Sequence, residues 1–250
     1  MISERQVAKS FDDMWRHATP LLRPKFVAMF NTAYCEHLRD ADGKLSNPVD
    51  SRPDNEPSVV AELGYLLAKS QLEERRTNEE IRLDVDIIAS CKELARSRIA
   101  RYSQLAESKI EISENELEEA FEIALRYEWF VRSEDAGRVK FAPSIPGAGI
   151  VNSCEADISL GDCLWEVKSV RRNVAGKDIR QLLVYLALGT ASGRYSWTHA
   201  GIFNPRMGLY HKFKIEGFVG LLSGNMSASE VFHEMISYLS SREIQIDTVF

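Results

Sequence analysis

Residues 153–168 hold the side chains of this chain best suited to chemistry: the carboxylates of Asp157 and Glu166, and the amine of Lys168. Apolar-alternating runs at 154–160 and 163–168 flank the dipeptide Gly161-Asp162, which is the signal of a two-residue hairpin turn. Such a turn registers Leu160 on Cys163, and counting back sets Asp157 against Glu166 and Glu155 against Lys168. Cross-strand partners hold their Cβ atoms about 4.5–5.5 Å apart, where like charges destabilise unless something offsets them. A divalent cation between the two acids would do so. A strand has a side-chain period of two, so Asp157, Glu166 and Lys168 are expected on one face and Ala156, Ile158, Trp165 and Val167 on the other. One face would carry chemistry and the other packing.

Charge placement extends this reading. The chain of 250 residues has a net charge of -6, yet residues 168–214 carry nine basic side chains against the single acid Asp178. Directly after a carboxylate hairpin, such a window suggests a phosphate-binding face presented by Arg171, Arg172, Lys177, Arg180 and Arg206. Scattered solvated charges are the other reading of the same window. His199 and His211 could reach the same phosphates, although hydrogen-bonded structural roles suit them as well. A hydrophobic fraction of 44% is enough for a sizeable core. No apolar run approaches membrane-spanning length and the first residues lack the apolar stretch of a secretion signal, so a cytoplasmic protein is expected. The cysteines Cys35, Cys91, Cys154 and Cys163 form no CxxC and read as free buried thiols.

The elements that must position these residues follow from periodicity. Residues 3–39 read as helices broken near Pro20 and Pro24, and 41–57 as a linker rich in Asp, Asn, Ser, Gly and Pro. A helix opens at Pro57 with Glu62 at the edge of its apolar stripe. Residues 77–109 are helical, and 113–130 form an acidic amphipathic helix opened by Ser113 and Glu116. After a turn at 134–137 the period becomes strand-like, with a strand at 138–142 ahead of the hairpin. A helix over 173–189, closed by Gly189, places Gln181 and Tyr185 on one face at i, i+4. Strands at 197–203 and 209–215 and a final helix from Ser227 to about Tyr238 complete the chain, with Trp15, Trp129, Trp165 and Trp197 expected in the core. The fold class is therefore α/β: a small mixed sheet flanked by helices, with a largely helical N-terminal half. It divides into a helical region and linker (1–56), a helix belonging to the core (57–76), a helical insertion (77–137) and the core itself (138–250).

An acid, any residue and a lysine occur in that order at Asp42 to Lys44, Glu107 to Lys109 and Glu166 to Lys168. Only the last lies on a predicted strand, opposite an aspartate and ahead of a helix reading Gln181-Leu182-Leu183-Val184-Tyr185. Here the sequence resembles the PD-(D/E)XK nuclease superfamily, in its RecB-like and Cas4-like branch. The resemblance implies a restriction-endonuclease-like core, with Asp157, Glu166 and the Val167 carbonyl as ligands of Mg²⁺ or Mn²⁺ and Lys168 as the catalytic lysine. Gln181 joins the catalytic set, and Gln181 and Tyr185 would position the active-site strand or touch the DNA backbone. Relatives often supply a histidine from an upstream helix; this chain has none suitably placed, and Glu62 stands in as a further metal ligand. Without a cysteine cluster, no iron–sulfur centre is expected. The implied activity is hydrolysis of DNA phosphodiester bonds, on double-stranded DNA, in antiphage defence, restriction or repair. A non-catalytic nucleic-acid-binding or assembly subunit on the same scaffold is the alternative. In either case the acidic helical half would meet a protein partner or a second copy.

Overall fold

The computed structural model describes residues 1–50, 52, 54–103, 110–134, 137 and 139–247. Three short helices open the chain: α1 (Glu4–Lys9), α2 (Asp12–Ala18) and α3 (Pro24–Ala33). Ser3 and Gln6 cap the first reciprocally, and Pro24 sits in the first turn of the third, where its missing N–H costs nothing. Strand β1 (Cys35–His37) precedes the linker, and four helices follow: α4 (Pro57–Glu73), α5 (Asn78–Arg82), α6 (Val85–Ser103) and α7 (Glu114–Ser133). The expected Ser113–Glu116 capping box opens α7. Next come β2 (Val139–Phe141), β3 (Ser144–Ile145), β4 (Cys154–Glu155), β5 (Ile158–Leu160) and β6 (Cys163–Val167). The chain ends with α8 (Gly176–Ala191), β7 (His199–Asn204), β8 (Leu209–Lys214), α9 (Ile215–Ser223) and α10 (Ala228–Asp247).

The architecture is the mixed α/β class expected. Six strands form one sheet in the order β1-β8-β7-β6-β5-β2. β6 and β7 run parallel with α8 between them in the chain, and the other pairings in this sheet are antiparallel. Helices cover both faces, which is why β6 is apolar almost throughout. Leu164, on one face, joins a core with α8 and with Val7, Trp15 and Phe30 of the first three helices. Cys163 and Trp165, on the other face, join a core built with α4 and α7. Of the first three helices, α1 packs on α8, α2 on α9 and α10 and α3 beside β1, while on the reverse side α7 packs on the sheet and α5 and α6 pack on α4. Among the described residues no helix is long and apolar enough to cross a membrane.

The structure corrects several expected boundaries. Residues 35–37 are an edge strand on β8, because Cys35 and Glu36 pair with His211 and Tyr210 in register. Gly189 lies inside α8, where a Cβ would come within 2.5 Å of the Trp197 ring, so it serves close packing and Ser192 caps the helix instead. α10 continues well past Tyr238. Trp15 and Trp165 are fully buried, whereas Trp129 and Trp197 are partly buried at the core edges. Glu107 and Lys109, Asp135 and Ala136 of the turn at 134–137, and Arg138 lie outside the described residues.

Candidate functional site

The hairpin register is the one the turn dictates: Leu160 pairs with Cys163 and Ile158 with Trp165. Gly161 holds φ at +59°, a left-handed conformation glycine adopts freely at such a turn. Ile158, Trp165 and Val167 pack toward the α4–α7 core as expected, and Glu166 points toward α8. Two expectations fail at the far end of the hairpin. Glu155 does not face Lys168 but pairs with Ser144 in the separate β3–β4 ribbon, and Ala156 is buried in the core on the α8 side. The cause is a bend at Asp157. Ala142 N donates to Asp157 O at 2.9 Å and Ala156 N to Pro143 O at 3.1 Å, so the chain leaves the hairpin there to pair with 143–145.

That bend draws Asp157 onto the end of β6, where its Oδ2 accepts the Val167 N–H at 2.6 Å. The Tyr65 hydroxyl of α4 donates to the Asp157 carbonyl at 3.1 Å. Lys168 Nζ donates to Glu166 Oε1 at 2.5 Å and to Gln181 Oε1 at 3.0 Å. Gln181 Nε2 in turn donates to the Tyr185 oxygen at 3.2 Å, and the Tyr185 O–H donates to Glu4 Oε1 of α1 at 3.3 Å. The i, i+4 pair on α8 therefore holds the lysine in place from below. Both members are buried, Tyr185 to 2% exposure, so they lie on an inner face of α8 and not on its outer surface.

Charge in this cluster is out of balance. Glu166 is 2% exposed and its Oε2 has no hydrogen-bond partner among the described residues. Burial pushes its carboxyl up and the Asp157 charge adds to this; Lys168 offsets only part, leaving it at about 8 against the usual 4.5. Asp157 is raised by burial too, opposed by Lys168 and the Val167 amide. Burial alone would lower Lys168, but Glu166 and Asp157 outweigh it and hold the ammonium above its ordinary value.

Beside the cluster lies a cavity of about 970 Å³. Asp157, Val167 and Tyr185 line it on the sheet side, while Glu166, Lys168 and Gln181 do not reach its surface. Glu62 lines the opposite wall from α4, and its Oε1 accepts from Arg98 Nη1 of α6 at 2.8 Å. Glu62 thus comes to the rim of the cluster, engaged by a cation. Several lining residues had no signal in the sequence: Glu4 and Arg5 of α1, Tyr65, Arg98, Arg101, and Ser169, whose buried hydroxyl has no partner among the described residues. Each sits on an element far along the chain from the hairpin or outside any motif.

The basic window does not form one face. Arg206 is 1% exposed and ion-paired with Glu119 of α7, so the expected contact of Arg206 with nucleic acid is ruled out by burial. Arg172 grips the Asp178 carboxylate with both terminal nitrogens, at 2.6 and 3.0 Å. Arg180 lies over the Trp15 ring, and Arg171 donates to the Val49 carbonyl at 2.8 Å. None of these residues, nor the exposed Lys177, lines the cavity. His211 is buried and stacked on Phe30, and burial lowers it to about 4, while His199 faces Asp162 at 3.1 Å; neither lines the cavity. The four cysteines are free thiols.

Among the described residues no three His, Cys, Asp or Glu side chains converge to hold a metal ion. The donor set here is smaller, Asp157 and Glu166 with the Val167 carbonyl, and it fits a hard divalent cation on one observation: a buried carboxylate oxygen of Glu166 lies without a partner beside a second acid. Comparison of the sequence with protein-family models and with curated proteins returned no match.

Proposed function

We propose that the chain is a metal-dependent nuclease that hydrolyses DNA phosphodiester bonds at the Asp157–Glu166–Lys168 cluster. The observation that carries this reading is the burial of two acids beside one lysine, with Glu166 held up to about 8 by burial and by the Asp157 charge although Lys168 and Arg5 oppose the shift. Structural ion pairs in interiors are matched, since an uncompensated buried charge costs several kcal/mol. The architecture supports the same reading: β5 and β6 antiparallel, then α8 and the parallel strand β7, form a mixed sheet flanked by helices of the kind the PD-(D/E)XK resemblance implies.

Asp157, Glu166 and the Val167 carbonyl would hold Mg²⁺ or Mn²⁺, which supplies Lewis acidity and an activated water when bound. The chain's own residues do the rest. Lys168 is oriented by Gln181, and its ammonium donates to a phosphoryl oxygen as charge develops there. Tyr185 fixes Gln181, and the Val167 N–H and Tyr65 hydroxyl fix Asp157, so the acidic groups keep their positions when substrate enters.

A second reading, a nucleic-acid-binding subunit without catalysis, draws on the position of Glu166 and Lys168, which pair with each other away from the cavity surface. Incubation of plasmid and linear DNA with the protein and Mg²⁺ or Mn²⁺ decides between them. Cleavage is expected, abolished by EDTA and reduced about a hundredfold or more in Lys168→Ala and Asp157→Asn. If the wild type and Lys168→Ala leave DNA equally intact while both retard it in a gel, the binding reading replaces the nuclease.

A further inference from the structure

The basic residues that a phosphate would meet at this cavity are not those of the 168–214 window. We infer that Arg98 and Arg101 of α6, with Arg5 of α1, form the phosphate-gripping wall of the cavity, and that Arg98 exchanges its Glu62 partner for a substrate phosphate. This rests on the nuclease reading and adds the residues that would hold the strand. The three guanidinium groups line the cavity that Asp157 and Val167 line from the sheet side. Arg98 and Arg101 stand three residues apart on one helix, so they share a face. Arg101 is exposed and makes no ion pair or hydrogen bond among the described residues, while Arg5, its side chain 55% exposed, is paired with Glu4 of the same helix.

Guanidinium is the group best shaped for this task, since its planar fork donates two parallel hydrogen bonds to a phosphate. In the free protein Arg5 is paired with Glu4 at 3.6 Å and Arg98 with Glu62: the Arg98–Glu62 pair is partly solvated, with side chains 29% and 25% exposed. A partly solvated pair holds weakly, so a polyanion competes for Arg98 at modest cost. Each such exchange would also remove a cation from Glu62 and leave its carboxylate facing the Asp157 side of the cavity. By contrast, Arg172, Arg206 and Lys212 of the window are already matched to Asp178, Glu119 and Glu134. Matched charges contribute little attraction for phosphate.

The test is anisotropy of fluorescent oligonucleotides, single-stranded DNA, duplex DNA and RNA in separate arms, in EDTA and over a range of salt. Arg98→Ala and Arg101→Ala are each expected to weaken binding about tenfold and to lower the slope of log K against log salt by about 0.7 to 0.9 for each phosphate no longer neutralised. Glu62→Gln, which releases Arg98, should tighten binding, and the double variant Arg98→Ala/Glu62→Gln, with no carboxylate left unpaired, should remain weak. Lys177→Ala and Arg194→Ala should bind as the wild type does. In Mg²⁺ the arginine variants should raise KM more than they lower kcat. An unchanged salt slope in Arg98→Ala, a weakening in Glu62→Gln, or a loss confined to Lys177→Ala and Arg194→Ala overturns the inference. Wild-type cleavage combined with wild-type binding by the arginine variants sinks the guanidinium wall alone. Absence of both binding and cleavage for all three polymers sinks the nuclease reading with it.

Discussion

Two clusters of charge are buried in this molecule, and they differ in how they are balanced. At the β7–β8 turn, Arg206 is matched to Glu119, whose other oxygen accepts from Asn55 Nδ2 at 2.7 Å, and Val49 N donates to the Arg206 carbonyl at 2.8 Å. That network ties the linker of residues 47–55 to α7 and the sheet, and its charges cancel. At the end of β6, two acids share one lysine in contact, Arg5 acts on both from farther away, and one carboxylate oxygen of Glu166 is without a hydrogen-bond partner among the described residues. The first cluster serves the fold, while in the second a buried carboxyl is held up to about 8, so that below this pH it keeps its proton.

The sharpest way to break this comparison is to unbalance the first cluster. Glu119→Ala leaves the Arg206 guanidinium buried without its carboxylate, and breaking a buried pair on one side costs about 3–5 kcal/mol. Urea unfolding should show that loss as a lower midpoint with little change in slope. A loss below 1 kcal/mol or so would mean that Arg206 finds other partners and that its match with Glu119 is incidental.

This contrast also marks how far the sequence was readable. The turn at Gly161-Asp162 and the period of a strand are local, and they placed Ile158, Trp165 and the turn partners correctly. The reading failed at Glu155 and Ala156 because the bend at Asp157 is made by Ala142 and Pro143, which no pattern within the hairpin reveals. Arg206 was misread for a similar reason: a run of basic residues shows sign, while the acid that neutralises one of them lies on α7. Glu4 reaches Tyr185 across 181 residues of sequence, a contact that the packing of α1 on α8 creates. Gln181 and Tyr185 were legible as a pair on one helix face, and what they hold was settled by the strand they face.

Filling the second cluster should have the next largest effect. Mg²⁺ at a hundredfold excess over its dissociation constant is expected to stabilise the protein by about 2.7 kcal/mol, which for a chain of this size moves Tm by roughly 5–10 °C. Asp157→Asn should abolish the shift. An equal shift in wild type and Asp157→Asn would place the cation elsewhere and remove the reason for calling the cluster incomplete.

Proton binding should separate the clusters in the metal-free protein. Glu166 is raised from 4.5 to about 8 on folding, so between those values the folded state binds more protons than the unfolded state. The sign follows: its contribution is fully present below pH 4.5 and is lost as pH rises through 8. Stability from urea unfolding in EDTA should therefore fall across this window by at most about 1.4 kcal/mol per pH unit, and Glu166→Gln should flatten the fall. Should the variant keep the wild-type slope, the titrating group lies elsewhere and the charge excess at β6 is not real.

The smallest effect supplies the baseline for all the others. Arg16 and Asp13 form an ion pair on α2 at 3.0 Å, as close as many buried pairs, but their side chains are 76% and 79% exposed. Water screens both charges whether or not they touch, and fixing two mobile side chains offsets most of what attraction remains. Asp13→Ala should therefore change stability by no more than about 0.5 kcal/mol, with no dependence on pH between 5 and 8 beyond that of the wild type. If this exposed pair proved as costly to break as Glu119 with Arg206, then proximity and not burial would set the weight of a charge here, and the imbalance at Glu166 would no longer single out that site.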